Sequence, residues 1–267
     1  VRLAYLGTPD SAVPPLRALV ADGHDVALVV TRPERRRGRR AETSRSPVNA
    51  AADELGLEVS YAVDDVLAVD AELGVVVAFG QLIKPHVLAG VPMINLHFSR
   101  LPRWRGAAPV ERALMAGDDV TGVCVMQVAE GLDTGDVYAC ADVPIGARQT
   151  AAQLRDELVT AGTSLLVEEL HRGLGRPTPQ VGEPTYAAKI TPAELRIDWT
   201  RPAIELDRLV RVGGAWTTWR GARVKVLEAD IVDGRLVPTI VQPADKRPMA
   251  FDDWRRGARG TAGEWFE

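Results

Sequence analysis

The chain has 267 residues, 46% of them apolar and 25% charged, which is enough for a sizeable core in one or two domains, and two are expected. A formal charge of −4 gives no overall attraction for nucleic acid, so any such binding needs a local basic patch. Two cysteines and four scattered histidines, without a Cys-x-x-Cys pair, argue against a disulfide scaffold and suggest no metal site; Cys124 and Cys140, in or beside apolar runs, are expected as buried free thiols.

Arg2 to Leu6 reads as a strand, Ser11 to Ala21 as a helix and Asp25 to Thr31 as a second strand. A helix follows from Ser46-Pro47 to about Leu55, with the proline in the first turn, where its missing N–H costs nothing. Leu73 to Phe79 is a continuous apolar run, as a central parallel strand should be, and Gly80 breaks it. Met93 to His97 alternates apolar and polar, so Asn95 and His97 project from one face. Ala107 to Ala116 is helical, Gly122 to Val128 is a further apolar run, and Gly131 to Asp136 is a glycine-flanked tight loop. From Gln149 to about Arg172, apolar residues at 154, 158, 165, 166 and 170 predict a long helix. This alternation over residues 2 to 140 predicts an α/β domain with a mostly parallel, Rossmann-like sheet covered on both faces. Gly173 to Pro184, rich in glycine and proline, reads as an interdomain linker. Strands around Arg220-Gly221 follow. With no charged leader and no apolar span of membrane length, a cytoplasmic protein that does not engage membranes is expected, acting as a monomer.

In such sheets ligands bind outside the carboxyl ends of the strands, where Gly7, Gly80, His97 and Asp133 fall. A dinucleotide site fails, because the first turn is Gly7-Thr8-Pro9-Asp10 rather than GxGxxG and no acid ends the second strand. A Ser-His-Asp hydrolase is a weak reading, since Ser99 stands two residues from His97 without a glycine-flanked elbow. Taken singly, Asn95 could cap a turn, His97 could be a core histidine and Asp133 a loop residue. Together they bring an amide, an imidazole and a carboxylate to one sheet edge, suited to acyl transfer: donors for an oxyanion and groups that move a proton. A separate feature is the stretch Thr31 to Val48, where Arg32, Arg35, Arg36, Arg37, Arg39, Arg40 and Arg45 face only Glu34 and Glu42. This is a local anion-binding loop, with RNA its natural target; a solvated surface loop is the plainer alternative.

Gly7-Thr8-Pro9-Asp10, the run Asn95-Leu-His-Phe-Ser-Arg-Leu-Pro-Arg-Trp-Arg-Gly-Ala-Ala-Pro109, Thr121-Gly122 and Gly131-Leu-Asp-Thr-Gly-Asp136 resemble the methionyl-tRNA formyltransferase family. The resemblance runs from residue 2 to about 230 and resumes at Val241 to Met249. The Asn-x-His pair with the later aspartate marks the wider 10-formyltetrahydrofolate transferase superfamily; Arg-Trp-Arg-Gly-Ala-Ala-Pro and the arginine loop narrow it. The resemblance implies formyl transfer to the α-amino group of methionine esterified to initiator tRNA, with Asn95, His97 and Asp133 catalytic and no metal. It implies a folate crevice formed by Phe79, Gly80, Gln81, Leu82 and Ile83, the turn Ser99-Arg100-Leu101-Pro102, and Gly131-Leu132. It also implies tRNA contacts from Arg35, Arg36, Arg37, Arg39 and Arg40. Arg100 replaces the family's usual leucine and Arg40 a usual glycine. On this reading residues 1–174 are the catalytic domain, 175–201 a linker, and 202–267 a small domain of the oligonucleotide-binding (OB) barrel type. That domain looks shortened, because Val224 to Val241 supplies too little strand for a five-stranded barrel. An amino-sugar N-formyltransferase using the same donor, or a noncatalytic RNA-binding relative, are the alternatives.

Overall fold

The computed structural model describes residues 1–33, 35, 36, 43–259, 265 and 266. In chain order the strands are β1 (Arg2–Gly7), β2 (Asp25–Val30), β3 (Arg35–Arg36), β4 (Thr43–Ser44), β5 (Val59–Ser60), β6 (Leu73–Val77), β7 (Met93–His97), β8 (Arg105–Gly106), β9 (Val120–Gln127), β10 (Val137–Pro144), β11 (Tyr186–Ala187), β12 (Trp216–Trp219), β13 (Ala222–Val232), β14 (Arg235–Pro243) and β15 (Met249–Ala250). The α-helices are α1 (Val13–Ala21), α2 (Pro47–Glu54), α3 (Pro85–Gly90), α4 (Pro109–Ala116), α5 (Ala151–His171), α6 (Ala203–Val212) and α7 (Phe251–Gly257). The chain divides into two units, one of residues 1–109, 120–144 and 155–187, the other of residues 110–119, 145–154 and 188–267.

The first unit is an α/β layer built on a seven-stranded sheet of order β10-β9-β7-β6-β1-β2-β5. Pairs among β7, β6, β1, β2 and β5 are parallel; β9 runs antiparallel to β7 and β10 antiparallel to β9. The central strands are apolar throughout because both faces are covered: every residue of β6 is buried, as is β1 after Arg2. One face packs Ala4, Leu6, Leu28, Val30 and Val76 against Val66, Val87 and Met93. Helix α2 starts as its sequence dictates, with Pro47 in the first turn and the Ser46 hydroxyl accepting the Asn49 N–H at 3.1 Å.

The strand β10 had no sequence expectation, and it corrects the reading of the cysteines. Register places Cys140 opposite Cys124 across β9 and β10, with Cα atoms 4.1 Å apart, and the two form a disulfide instead of free thiols. Cys124 is buried, whereas Cys140 is exposed on the edge strand.

The second unit holds a four-stranded antiparallel sheet, β12-β13-β14-β15. The β13–β14 hairpin turns at Asp233-Gly234, both with positive φ, the geometry that matches strand twist. Leu206, Leu209 and Val210 of α6 pack on Val226, Ala229 and Leu236 of this sheet. A second cluster gathers Trp219, Phe251, Trp254 and Phe266, with Trp254 and Phe266 stacked at 5.4 Å. No helix among the described residues is long and apolar enough to cross a membrane.

Candidate active site

A cavity of about 630 Å³ opens at the carboxyl ends of β6 and β7 in the first unit, within the range of small-molecule sites. Asn95 and His97 reach it because they sit two residues apart on β7 and so share a face. The loop after β9 brings Asp133 to the same wall. Close approach fixes that loop: a Cβ on Gly135 would stand 1.8 Å from the Gln127 carbonyl oxygen, so only glycine fits.

The hydrogen bonds around His97 assign its two nitrogens. The Trp104 carbonyl lies 3.0 Å from Nε2, and since a carbonyl only accepts, Nε2 carries a proton. Nδ1 faces Asp133 Oδ2 at 3.6 Å and is the nitrogen left to gain or lose one. Asp133 is oriented in turn by the Gly106 N–H, which donates to Oδ2 at 2.7 Å. Both side chains are largely shielded from solvent, which strengthens their mutual field. Asn95 is half-buried, and among the described residues its amide makes no side-chain hydrogen bond, so its donors are open to a ligand oxygen in the cavity.

The other expected site residues divide into three groups. Phe79, Gly80, Gln81, Leu82, Ile83, Gly131 and Leu132 line the cavity. Leu82 and Leu132 are 81% and 62% exposed there, an unusual placement for leucine that leaves apolar surface for a ligand to cover. The turn Ser99-Arg100-Leu101-Pro102 is outside the cavity wall, and its side chains are engaged elsewhere. Ser99 donates to the Arg103 carbonyl at 2.6 Å, Arg100 pairs with Asp142 of β10, and Leu101 packs on Cys124 and Met126. Of the arginine loop, the backbone of Arg35 and Arg36 pairs antiparallel with Thr43 and Ser44, while Arg37, Arg39 and Arg40 lie outside the described residues. The flanks of that loop are pinned by the Thr31 and Ser46 hydroxyls at 2.8 Å, and Arg32 donates to the Gly80 carbonyl at the cavity.

Sequence reasoning passed over the backbone roles of Trp104 and Gly106, although both stand in the Arg-Trp-Arg-Gly motif. It also passed over Gln180, whose segment had been read as a linker. That segment runs along the first unit: Thr178 bridges to Val137, and the Thr185 hydroxyl accepts the Trp104 N–H at 2.9 Å. Among the described residues no group of three or more His, Cys, Asp or Glu is placed to hold a metal ion.

A sheet-edge cavity carrying an amide, an imidazole and a carboxylate holds the groups that acyl transfer needs. Residues 1–170 match the formyl transferase family and residues 189–236 the formyl transferase C-terminal domain, and the chain belongs to that family. Within it the chain groups with the methionyl-tRNA formyltransferases. It is 45% identical to the methionyl-tRNA formyltransferase of Ruegeria pomeroyi over 256 residues, covering 89% of this chain and 84% of the relative. It is 42% identical to that of Cutibacterium acnes, covering 98% and 99%. Among solved structures, methionyl-tRNA formyltransferase from Clostridium thermocellum aligns with a TM-score of 0.64 at 16% identity, over 91% of this chain and 98% of that one. An N-formyltransferase from Helicobacter canadensis, in complex with folinic acid and dTDP-3-aminofucose, aligns with a TM-score of 0.69 at 16% identity, over 87% and 88%. At these identities the two structures speak to the fold.

Proposed function

We propose that this formyl-transferring enzyme moves the formyl group of 10-formyltetrahydrofolate to the α-amino group of methionine on initiator tRNA, serving translation initiation in the cytoplasm. The observation that carries the reading is the convergence of Asn95, His97 and Asp133 on one cavity wall. Folate supplies an activated formyl group and a leaving nitrogen, and the rest falls to the chain. The Asn95 amide donates to the formyl oxygen, where negative charge grows as the amine adds. An α-amine titrates at roughly 7.7 to 8.0, so a useful fraction is neutral near pH 7 and must shed a proton as it bonds. Asp133 and Nδ1 of His97 share that proton and return it toward the departing nitrogen. With Nε2 bonded to the Trp104 carbonyl, the ring cannot turn without losing a hydrogen bond, so Nδ1 stays aimed at Asp133.

The donor's ring system packs on Phe79 to Ile83 and on Leu132, with Gly80, Gly131 and neighbouring backbone groups reading its polar edge; Ser99 to Pro102 support that wall from behind. Arg35, Arg36, Arg37, Arg39 and Arg40 hold the tRNA, and no metal is needed. The protein acts as a monomer, with its catalytic groups in the first unit and residues 202–267 a shortened OB-like domain. The test is direct: purified protein, 10-formyltetrahydrofolate and charged initiator tRNA should give formylmethionyl-tRNA. A nucleotide-linked amino sugar offered under the same conditions should remain unmodified. Formylation of the sugar alone, or of neither acceptor by a well-folded sample, overturns the assignment.

A further inference from the structure

We infer that Gln180 is a positioning residue for Asp133. The inference rests on the proposed role of Asp133 and extends it to a residue outside the cavity wall. The Gln180 amide uses all its hydrogen-bonding capacity. Its Nε2 donates at 2.8 Å to the carbonyl of Asp133 and at 2.8 Å to that of Gly135. Its Oε1 accepts from Arg105, at 3.1 Å from Nε and 2.7 Å from the terminal nitrogen Nη2. The strand β8 therefore grips Asp133 twice, through the Gly106 N–H on the carboxylate and through Arg105 and Gln180 on the backbone.

The loop needs such a grip. Asp133 has a φ of +50°, a left-handed conformation that L residues avoid unless their surroundings impose it. Its carboxylate must also face a nitrogen 3.6 Å away, a distance at which a small shift decides whether a proton can pass. Glycines on either side, at 131 and 135, give the chain little stiffness of its own. A half-buried amide that chelates the two carbonyls around Asp133 supplies what the loop lacks.

The experiment compares Gln180→Met, which removes every bond, and Gln180→Glu, which keeps the shape but loses donors, with the parent and with Asp133→Ala. Turnover should fall about 10- to 100-fold in Gln180→Met, since displacements near 1 Å cost that much. KM for charged tRNA and for the folate donor should stay within about twofold. Amides from Gly131 to Gly135 should exchange roughly tenfold faster while the sheet amides keep their rates. Combined with Asp133→Ala, Gln180→Met should slow the enzyme no further, because it acts through the group already removed. Parent-like turnover and parent-like loop exchange in Gln180→Met overturn the inference. So do faster loop exchange at parent-like turnover, and additive losses in the double variant. Parent-like turnover in Asp133→Ala instead overturns the underlying site assignment, whatever Gln180 does. If Gln180→Met does not fold, Gln180→Glu is read by the same criteria.

Discussion

In the proposed mechanism two of the three groups are held by bonds that the substrate does not have to supply, and the third is open to it. The Trp104 carbonyl occupies Nε2 of His97 and the Gly106 N–H occupies one oxygen of Asp133, while the Asn95 amide has no side-chain partner among the described residues. Preorganised groups of this kind act on charge that exists only in the transition state, so removing one lowers turnover more than affinity. Asn95→Ala and Asp133→Asn should each reduce kcat by about 10²- to 10³-fold while KM for charged tRNA moves less than about threefold. Steady-state kinetics check this, and a variant that raised KM at unchanged kcat would make the residue a binding group instead. A second residue, Glu194, tests the linkage of charge to stability. Arg112 beside it and the Thr191 backbone and hydroxyl hold its carboxyl down at about 2, from an ordinary value near 4.5. A depressed carboxylate stabilises the fold above its unfolded pKa, and that contribution is lost as pH falls from about 4.5 toward 2. Glu194 is partly exposed, so the effect is small, under about 1 kcal/mol after screening. Urea midpoints of the parent and Glu194→Gln should differ at pH 6 and converge toward pH 2.

The elements show which patterns a sequence displays and which it hides. The parallel strands β1, β2 and β6 were legible as apolar runs, β7 as an alternation, and α2 by its serine and first-turn proline, because local periodicity and burial agree there. The edge strand β10 was not, since it alternates only weakly and its partner had to be known first; the cysteine pairing was hidden with it. The Asp233-Gly234 hairpin was a readable signal that went unread, because the segment was judged against the barrel it was too short to make. Asn95, His97 and Asp133, which the structure brings to one cavity wall, had been picked out from residue type at strand ends. Trp104 and Gly106 escaped because they act through backbone atoms, and Gln180 because glycines and prolines around it imitate a linker. The loop after β9 gives the prediction at this scale. Gly135→Ala must displace either Gln127 or the loop, so it should lower turnover at least tenfold and reduce the melting temperature by several degrees. Unchanged kinetics and melting in Gly135→Ala would show that the loop relaxes without moving Asp133.

The two compact units do not correspond to two consecutive stretches of chain. The second unit takes residues 110–119 and 145–154 from upstream and joins them to residues 188–267. Specific contacts make these segments part of its structure. Arg112 donates to the Ala188 carbonyl at 3.0 Å and pairs with Glu194, and Met115 packs on the Leu206, Leu209 and Leu236 core. Arg148 meets the buried carboxylate of Asp207 at 3.0 Å, while Arg211 binds the same group at 2.8 Å and the Gln149 carbonyl at 3.0 Å. A cut between residues 154 and 188 parts Arg112 and Arg148 from Glu194 and Asp207 and strips the apolar cover from Met115, and an apolar face that loses its cover drives association. The stretch between the two family matches, after residue 170 and before 189, is therefore an unsafe place to cut. A chain ending at Ala187 retains the sheet and the cavity but leaves Arg112, Met115 and Arg148 without their partners. It should aggregate or bind a hydrophobic dye strongly and melt over a broad range, whereas the full chain unfolds cooperatively. Calorimetry and dye binding on the two proteins decide the matter, and a soluble, sharply melting 1–187 fragment would show that the first unit folds without the second.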